Sequence, residues 1–378
     1  MIFSEGYQYE KRRPLTRAAR LLRNLHIDGP LLAGLLAVSG LGLIVLYSAS
    51  GASRDMLVQQ AVRLGVALLA LLIAAQFPPK LLRTWTPWGY LFGLGLLALV
   101  LLVGDPVMGA QRWLDLGVIS FQPSEVMKLG VPMGCAWFLH ERRLPPHTGH
   151  LLTLAVVILL PTWLIAQQPD LGTSLLVASS GAFVVLLAGL RIRAMLLIGA
   201  LAVGLAPVLW HFMHEYQRQR VLTFFDPESD PLGAGYHIIQ SKIAIGSGGV
   251  FGKGWLNGSQ AHLEFLPESQ TDFIFAVLGE EFGLMGLLVL LVLYLFVIGR
   301  GLFMAVQAQD TFSRLVAGSL SLTFFVFVFV NIGMVTGILP VVGVPLPLVS
   351  YGGTSMVTLM AGFGILMSIH THRKLLPT

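Results

Sequence analysis

The sequence predicts an all-α polytopic membrane protein that crosses a bilayer about ten times, with both termini on the cytoplasmic side. Three observations carry that reading. The 378 residues are 55% hydrophobic and only 11% charged, with a mean hydropathy of +0.77; a water-facing surface would need about 25% charged residues. Apolar runs of membrane-spanning length recur along the chain. Basic residues then fall in pairs on alternate sides of those runs, which is the bias that sets orientation.

The formal net charge of +5 does not point to nucleic acid, because the basic residues sit in short clusters between apolar runs rather than on one patch. Cys135 is the single cysteine, so no intrachain disulfide and no thiolate metal site can form. It lies in an apolar stretch and reads as a packing residue.

Taken in order, a tail at 1–28 carries Lys11, Arg12, Arg13, Arg17, Arg20 and Arg23 ahead of the first run, 30–50. No small-residue cleavage site closes that run, so it is expected to be an uncleaved first helix rather than a signal peptide. Runs at 56–76 and 87–103 follow. The segment 122–140 is helical in pattern but holds Glu125 and Lys128 inside it. Further runs occupy 148–167, 171–190 and 194–213, then 283–306, 312–338 and 351–370. Lys80 with Arg83, Arg142 with Arg143, Arg191 with Arg193, Arg300 with Arg314, and Arg373 with Lys374 all fall on the cytoplasmic side. The outer side has a moderate loop at 104–121 and a long one at 214–270, between the seventh and eighth spans. A loop of that length is usually functional, and 237–245 and 255–265 are expected to form short helices on the membrane face. The whole chain, 1–378, reads as one transmembrane domain.

Charges inside a span cost a few kcal/mol and usually face a polar cavity. Gln122-Pro123-Ser124-Glu125 opens a helix on which Glu125 and Lys128, three apart, share a face; they form either a neutralised structural pair or part of a cavity lining. Asp170, in Gln168-Pro169-Asp170-Leu171-Gly172-Thr173, suits a helix N-cap, a role compatible with a cavity. Asp272, after Thr271 and just before an apolar run, sits at the outer membrane surface as a second cap or as a carboxylate able to take a proton. Glu280 and Glu281, deeper on the same helix, read as partner-stabilised. Arg112 and Trp113 lie in the first outer loop, where Trp is often an interface anchor. Pro340, Pro345 and Pro347 before Ser350-Tyr351-Gly352-Gly353 suggest a broken approach to the last span, and His370, His372, Arg373 and Lys374 look like a helix end meeting headgroups. The glycine-rich stretch Gly246–Gly254 lacks the strand and helix context of a nucleotide loop, so no nucleotide is expected.

Together these segments resemble the SEDS family (shape, elongation, division and sporulation). The resemblance rests on Gly109–Leu114, Phe121–Glu125, Gln168–Thr173, Tyr216–Arg220, Asp226-Pro227, Gln240-Ser241, Gly248-Gly249, Leu266–Glu268, Thr271–Ala276, Pro345–Pro347 and Ser350–Gly353, in order from about 45 to the end. The short N-terminus, Asp226–Asp230 and His370–Lys374 favour its elongation branch, which serves rod shape, over its division branch. Gln270 departs from the pattern, since relatives often have His there; the neighbouring carboxylate is intact.

The resemblance implies an inverting glycosyltransferase of the bacterial inner membrane that joins lipid II units into β-1,4 glycan strands, releasing undecaprenyl pyrophosphate on the periplasmic side. It implies Asp272 as catalytic base. Glu125, Lys128, Gln122, Ser124, Arg112, Trp113, Asp170, Arg218, Arg220, Lys242, Gln260, Glu268, Thr271 and Ser350 become candidates for the cavity, with cationic members facing pyrophosphate. A divalent cation, Mg2+ or Mn2+, is expected, with Asp272 and Glu125 as candidate ligands. Expected partners are lipid II, an undecaprenyl-linked glycan strand, a class B penicillin-binding protein, other elongation-complex proteins and membrane lipids. A lipid II flippase and a non-catalytic scaffold activating a transpeptidase are the alternatives. Outer-side concentration of polar chemistry disfavours a carrier, which must open to both sides.

Overall fold

The computed structural model of the protein describes residues 24–107, 110–115, 120–190, 215–226, 234–263, 265–266 and 268–373, with scattered positions between 196 and 211. Its helices are α1 (Gly29–Ala49), α2 (Arg54–Gln76), α3 (Pro79–Val103), α4 (Pro123–Leu139), α5 (Thr148–Gln167) and α6 (Leu171–Leu187), then α7 (Glu215–Phe225), α8 (Ala234–Gly248), α9 (Ser259–His262), α10 (Ile274–Val306), α11 (Thr311–Thr336) and α12 (Thr354–Thr371). Among the described residues seven helices (α1, α2, α3, α5, α10, α11 and α12) are long and apolar enough to cross a membrane. Helices α4 and α6, at 17 residues each, coincide with two more of the expected spans, and the chain is a multi-pass membrane protein. The expected span 194–213 and the basic pair Arg191 and Arg193 lie largely outside the described residues, as does the tail before Asn24.

Local chemistry sets the helix ends. The Asp28 carboxylate accepts from the Leu31 amide at 2.9 Å, and that of Asp310 from the Ser313 amide at 2.9 Å, satisfying N–H groups that a helix start leaves open. Helix α11 closes on Gly337 in the left-handed conformation, φ 72°, where only glycine is unstrained. This helix is the most buried of the seven (61% of its apolar window), whereas α2 and α5 stand at 17% and carry the lipid-facing side. Helix α11 therefore works as the central post, packing on α4, α6 and α10.

The structure differs from the sequence reading in three places. The loop 104–121 contains a three-stranded antiparallel meander, β1 (Asp105–Val107), β2 (Ala110–Asp115) and β3 (Ser120–Phe121). The long loop 214–270 is largely helical, through α7, α8 and α9; α8 is not laid on the membrane face but packs into the bundle against α10 and α11. The eighth span, expected from 283, starts at Ile274 and breaks at Gly283, with φ 63° and ψ −162°.

That break explains the glycine-rich stretch. Interrupting a helix frees carbonyls and amides, which lipid cannot satisfy. Here the Lys253 and Gly254 amides donate to the Glu280 and Glu281 carbonyls, both at 3.0 Å, while the Leu284 and Met285 amides donate to the Gly249 and Val250 carbonyls at 3.0 and 3.1 Å. The backbones must nearly touch. A Cβ on Gly252 would meet the Glu281 carbonyl at 2.1 Å, and one on Gly283 the Gly252 nitrogen at 2.3 Å. From the break onward the helix runs 284–306, about 34 Å at 1.5 Å per residue, matching a hydrocarbon core of about 30 Å.

At the opposite end, the chain termini are tied together. Arg300 holds Asp28 through Nε at 3.0 Å and Nη2 at 2.6 Å, the His370 ring lies 3.8 Å from the same carboxylate, and His26 stacks on His372 at 3.9 Å. Burial raises the Asp28 carboxyl, but Arg300, the Leu31 amide and His370 together bring it below its ordinary value. His370 and His372, expected only to meet headgroups, form this latch.

Candidate functional site

Strand β2, the starts of α4, α6 and α12 and the segment that leads into α12 converge on one cavity of about 260 Å³, with Phe327 of α11 behind them. It is lined on one side by Arg112, Trp113, Gln122, Glu125, Lys128, Asp170 and Thr173, and on the other by Gly343–Pro345 and Gly352–Ser355. Its size approaches the about 300–1,000 Å³ of ligand clefts.

Pro123 in the first turn of α4 fixes the helix start and turns Glu125 and Lys128 inward. Both are nearly buried, and Lys128 Nζ lies 2.6 Å from Glu125 Oε1. The ammonium also sits 4.8 Å from the Phe327 ring centre on α11. Glu125 Oε2 is buried without a hydrogen-bond partner among the described residues, as is the Ser124 hydroxyl. The pair is thus neutral as a whole, and one hard oxygen is left without a partner within the cavity wall.

Asp170 is the N-cap of α6, its Oδ1 accepting from the Thr173 amide at 3.1 Å. Its other oxygen accepts from Gln122 Nε2 at 3.2 Å and lies 3.9 Å from Arg112 Nε. Capping and cavity lining are the same role here. Strand β2 brings Arg112 to this point, where the guanidinium also donates to the Gln168 and Pro169 carbonyls. The start of α6 comes close to the second wall: a Cβ on Gly172 would lie 2.8 Å from the Val342 carbonyl.

Asp272 stands beside the second wall without itself lining the cavity. It is one residue before the N-cap position of α10, which Phe273 occupies. Its Oδ2 lies 3.5 Å from where a Cβ on Gly343 would stand, and Gly343 lines the cavity. Its backbone is held on two sides. The Ser350 hydroxyl donates to the Thr271 carbonyl at 2.5 Å and accepts from the Leu346 amide at 2.7 Å, and the Tyr351 amide donates to the Gln270 carbonyl at 2.8 Å. Asn331 donates to the Asp272 carbonyl at 2.9 Å. Thr271 donates through its side chain to Glu268 Oε2 at 2.7 Å.

Other candidates lie elsewhere. Arg218 donates to the Trp210 and His211 carbonyls at 3.0 and 2.7 Å. Lys242 lies against Gly337, at the C-terminus of α11, where a cation faces the negative end of the helix dipole. Gln260 gives its amide to Glu280 at 3.1 Å. The Arg220 side chain lies outside the described residues. Glu280 is partner-stabilised as expected, with Lys253 Nζ at 2.7 Å and the Ser259 hydroxyl at 3.0 Å; Glu281 accepts from Ser48.

Three further polar residues, beyond those the sequence motifs mark, support the site. Asn331 is one. Gln60, buried on α2, donates to the Ser350 carbonyl at 3.1 Å, and Arg63 lies 4.2 Å from the Tyr351 ring centre. Each is a polar side chain within an apolar run, the signal already used for Glu125.

Among the described residues no group of three or more His, Cys, Asp or Glu could hold a metal ion. Among the described residues a metal would therefore not find a cage built wholly of protein. The Glu125 Oε2 oxygen suits the other mode, in which Mg2+ keeps several waters and takes one or two carboxylates with substrate phosphates.

The chain is similar to known proteins over most of its length. The family model described as cell cycle protein, covering FtsW, RodA and SpoVE, matches residues 30–375. The chain is 55% identical over 353 residues to the peptidoglycan glycosyltransferase MrdB of Escherichia coli, covering 93% of this chain and 95% of that one. It is 38% identical over 325 residues to MrdB of Helicobacter pylori, covering 83% of each. Among solved structures, a chain of a peptidoglycan synthase complex that coordinates polymerization and crosslinking superposes with a TM-score of 0.80 at 34% identity, over 92% of this chain and 99% of that one. The rod shape determining protein RodA of Thermus thermophilus superposes with a TM-score of 0.70 at 30% identity, over 92% and 98%.

Proposed function

The chain belongs to the FtsW, RodA and SpoVE family and is a peptidoglycan glycosyltransferase, and from that premise we propose that Asp272 is its catalytic base, acting on lipid II at the periplasmic face of the bacterial inner membrane. What supports this reading is that the Asp272 carboxylate lies beside Gly343, which lines a cavity whose other residues include Arg112 and Lys128.

In the transfer, the 4-hydroxyl of an incoming lipid II attacks the anomeric carbon of the growing strand. Asp272 removes the hydroxyl proton, a contribution of about 10²–10⁴ in rate. The bond to undecaprenyl pyrophosphate breaks, and the electron pair leaves with the pyrophosphate. Arg112 and Lys128 are the cations placed to face that departing charge. Asp170 and Gln122 orient Arg112, and Glu125 holds Lys128. A divalent cation, Mg2+ or Mn2+, would be held through Glu125, with Asp272 as the further candidate ligand, and would neutralise pyrophosphate charge. The prenyl chains stay in lipid while the sugars meet in the cavity, which suits a site beside apolar helices. The partner is a class B penicillin-binding protein, in keeping with the synthase complex that one structural relative forms.

The deciding experiment incubates purified chain and its transpeptidase partner with lipid II and Mg2+ or Mn2+, wild type beside Asp272→Asn. The variant should fold and make no glycan strands; strands at the wild-type rate would exclude Asp272 as the base. The same product analysis separates polymerisation from flipping, and a scaffold role would leave the variant able to complement a deletion.

A further inference from the structure

Asn331 is a lone amide in an otherwise apolar stretch, 324–335, of α11, and it is fully buried. Its Nδ2 donates two hydrogen bonds, to the Asp272 carbonyl at 2.9 Å and to the Val344 carbonyl at 2.7 Å. The assignment of nitrogen and oxygen follows from the partners: a flipped amide would set its oxygen against two carbonyl oxygens.

The two carbonyls belong to different non-helical segments. One precedes α10 and carries Asp272; the other runs from the end of α11 towards α12 and forms the second wall of the cavity. Between them the side chain of Asp272 faces Gly343, which has φ 73° and neighbours Val344. Ser350 and Tyr351 already bond the two segments at Thr271 and Gln270. Asn331, on the central and most buried span, ties them at Asp272 and Val344 themselves with a single planar group.

We infer that Asn331 is a positioning residue for the transfer, fixing the Asp272 carboxylate against the cavity wall through the paired main-chain bonds to Asp272 and Val344. This rests on the reading of Asp272 as base. Ser350 and Tyr351 tie down the neighbouring residues Thr271 and Gln270 independently, so losing the amide loosens the carboxylate without releasing the loop. Misplacement of a reacting group by about 1 Å can cost about 10² in rate.

The test uses the full chain with its transpeptidase partner, turning over lipid II. Asn331→Leu keeps the volume and removes both donors. It should lower kcat by about tenfold to a hundredfold while KM for lipid II stays within about twofold, with the protein monodisperse. Should that variant fail to fold, Asn331→Ser, too short to reach both carbonyls, should show the same kcat-only loss. If the folded variant keeps its kcat, or loses only KM, while Asp272→Asn is inactive, the positioning role is overturned and the base assignment stands. If Asp272→Asn itself polymerises at the wild-type rate, it is the base assignment that fails.

Discussion

The Ser350 hydroxyl donates to the carbonyl of Thr271 at 2.5 Å across 79 positions of sequence, tying the approach to the last span to the residue before the candidate base. The same oxygen accepts from the Leu346 amide at 2.7 Å, so one side chain bridges two loops. Ser350→Ala should leave the buried Leu346 amide and the partly buried Thr271 carbonyl without this partner, at a cost of about 1–3 kcal/mol. The expected outcome is a folded protein with a lower unfolding temperature and a reduced turnover of lipid II; unchanged values for both would remove Ser350 from the site's support.

The broken helix makes a sharper prediction. Gly252 has φ 80°, and a Cβ there meets the Glu281 carbonyl at 2.1 Å; Gly249 has φ 57° with open space around it. Gly249→Ala should therefore cost only the left-handed strain, about 1–2 kcal/mol. Gly252→Ala adds a backbone collision that no side-chain movement relieves. Size-exclusion profiles in detergent should show a monodisperse Gly249 variant and a misfolded or absent Gly252 variant.

How far the sequence was legible follows from what kind of signal each feature leaves. Span positions were readable because lipid demands long apolar runs, and Glu125, Lys128, Asp170 and Asp272 were readable because charge in such runs is costly. The meander at 105–121 was not, since its short strands leave little periodic pattern. The break at Gly283 was hidden because its satisfaction comes from Gly249–Gly254, thirty positions earlier, through main-chain bonds that carry no side-chain signature. Arg218 and Lys242 were grouped with the cationic site by family motif and loop membership; only the coordinates show Arg218 on the Trp210 and His211 carbonyls and Lys242 at the end of α11. Asn331 leaves a weaker signal than Glu125, because an uncharged amide costs an apolar run less than a carboxylate does.

Lys253 and Glu280 form the most asymmetric ion pair of the site's surroundings. Glu280 is 0% exposed while Lys253 is 30% exposed, with 2.7 Å between them. Removing a partner from a fully buried pair costs about 3–5 kcal/mol. The exposed lysine and the bonds Glu280 takes from Ser259 and Gln260 reduce that, so Lys253→Met should destabilise by about 1–3 kcal/mol. Thermal unfolding in detergent measures it, and a shift within error would mean the remaining donors suffice.

His237 on α8 stacks on Phe273, next to Asp272, with 5.6 Å between ring centres. Burial lowers its pKa below the ordinary 6.5, partly opposed by Glu268. A histidine whose folded pKa is depressed binds its proton less readily folded than unfolded. Its contribution to stability is therefore complete above about pH 6.5 and declines as pH falls through the lowered value. His237→Phe keeps a stacking ring without the titration. The wild type should lose more stability than the variant between neutral pH and about pH 5; parallel curves would show that His237 does not control this window.

The cations decide between two pictures of how pyrophosphate is met. If the charged loop 214–270 gathered the leaving group, Arg218→Ala would abolish polymerisation. The geometry points instead to Arg112 and Lys128, which line the cavity. Lys128→Met also strands Glu125, so its effect alone would confuse charge with folding; paired with Glu125→Gln, the buried site becomes uncharged with side chains of similar shape, and its turnover is read against Glu125→Gln alone, because Glu125 is also the candidate metal ligand. That double variant and Arg112→Ala should each fold and lose at least about tenfold in turnover, the scale of one charge-assisted contact of about 1.5–3 kcal/mol. Arg218→Ala should stay within about threefold of wild type. The reverse ranking would move the leaving-group site out of the cavity and into the loop.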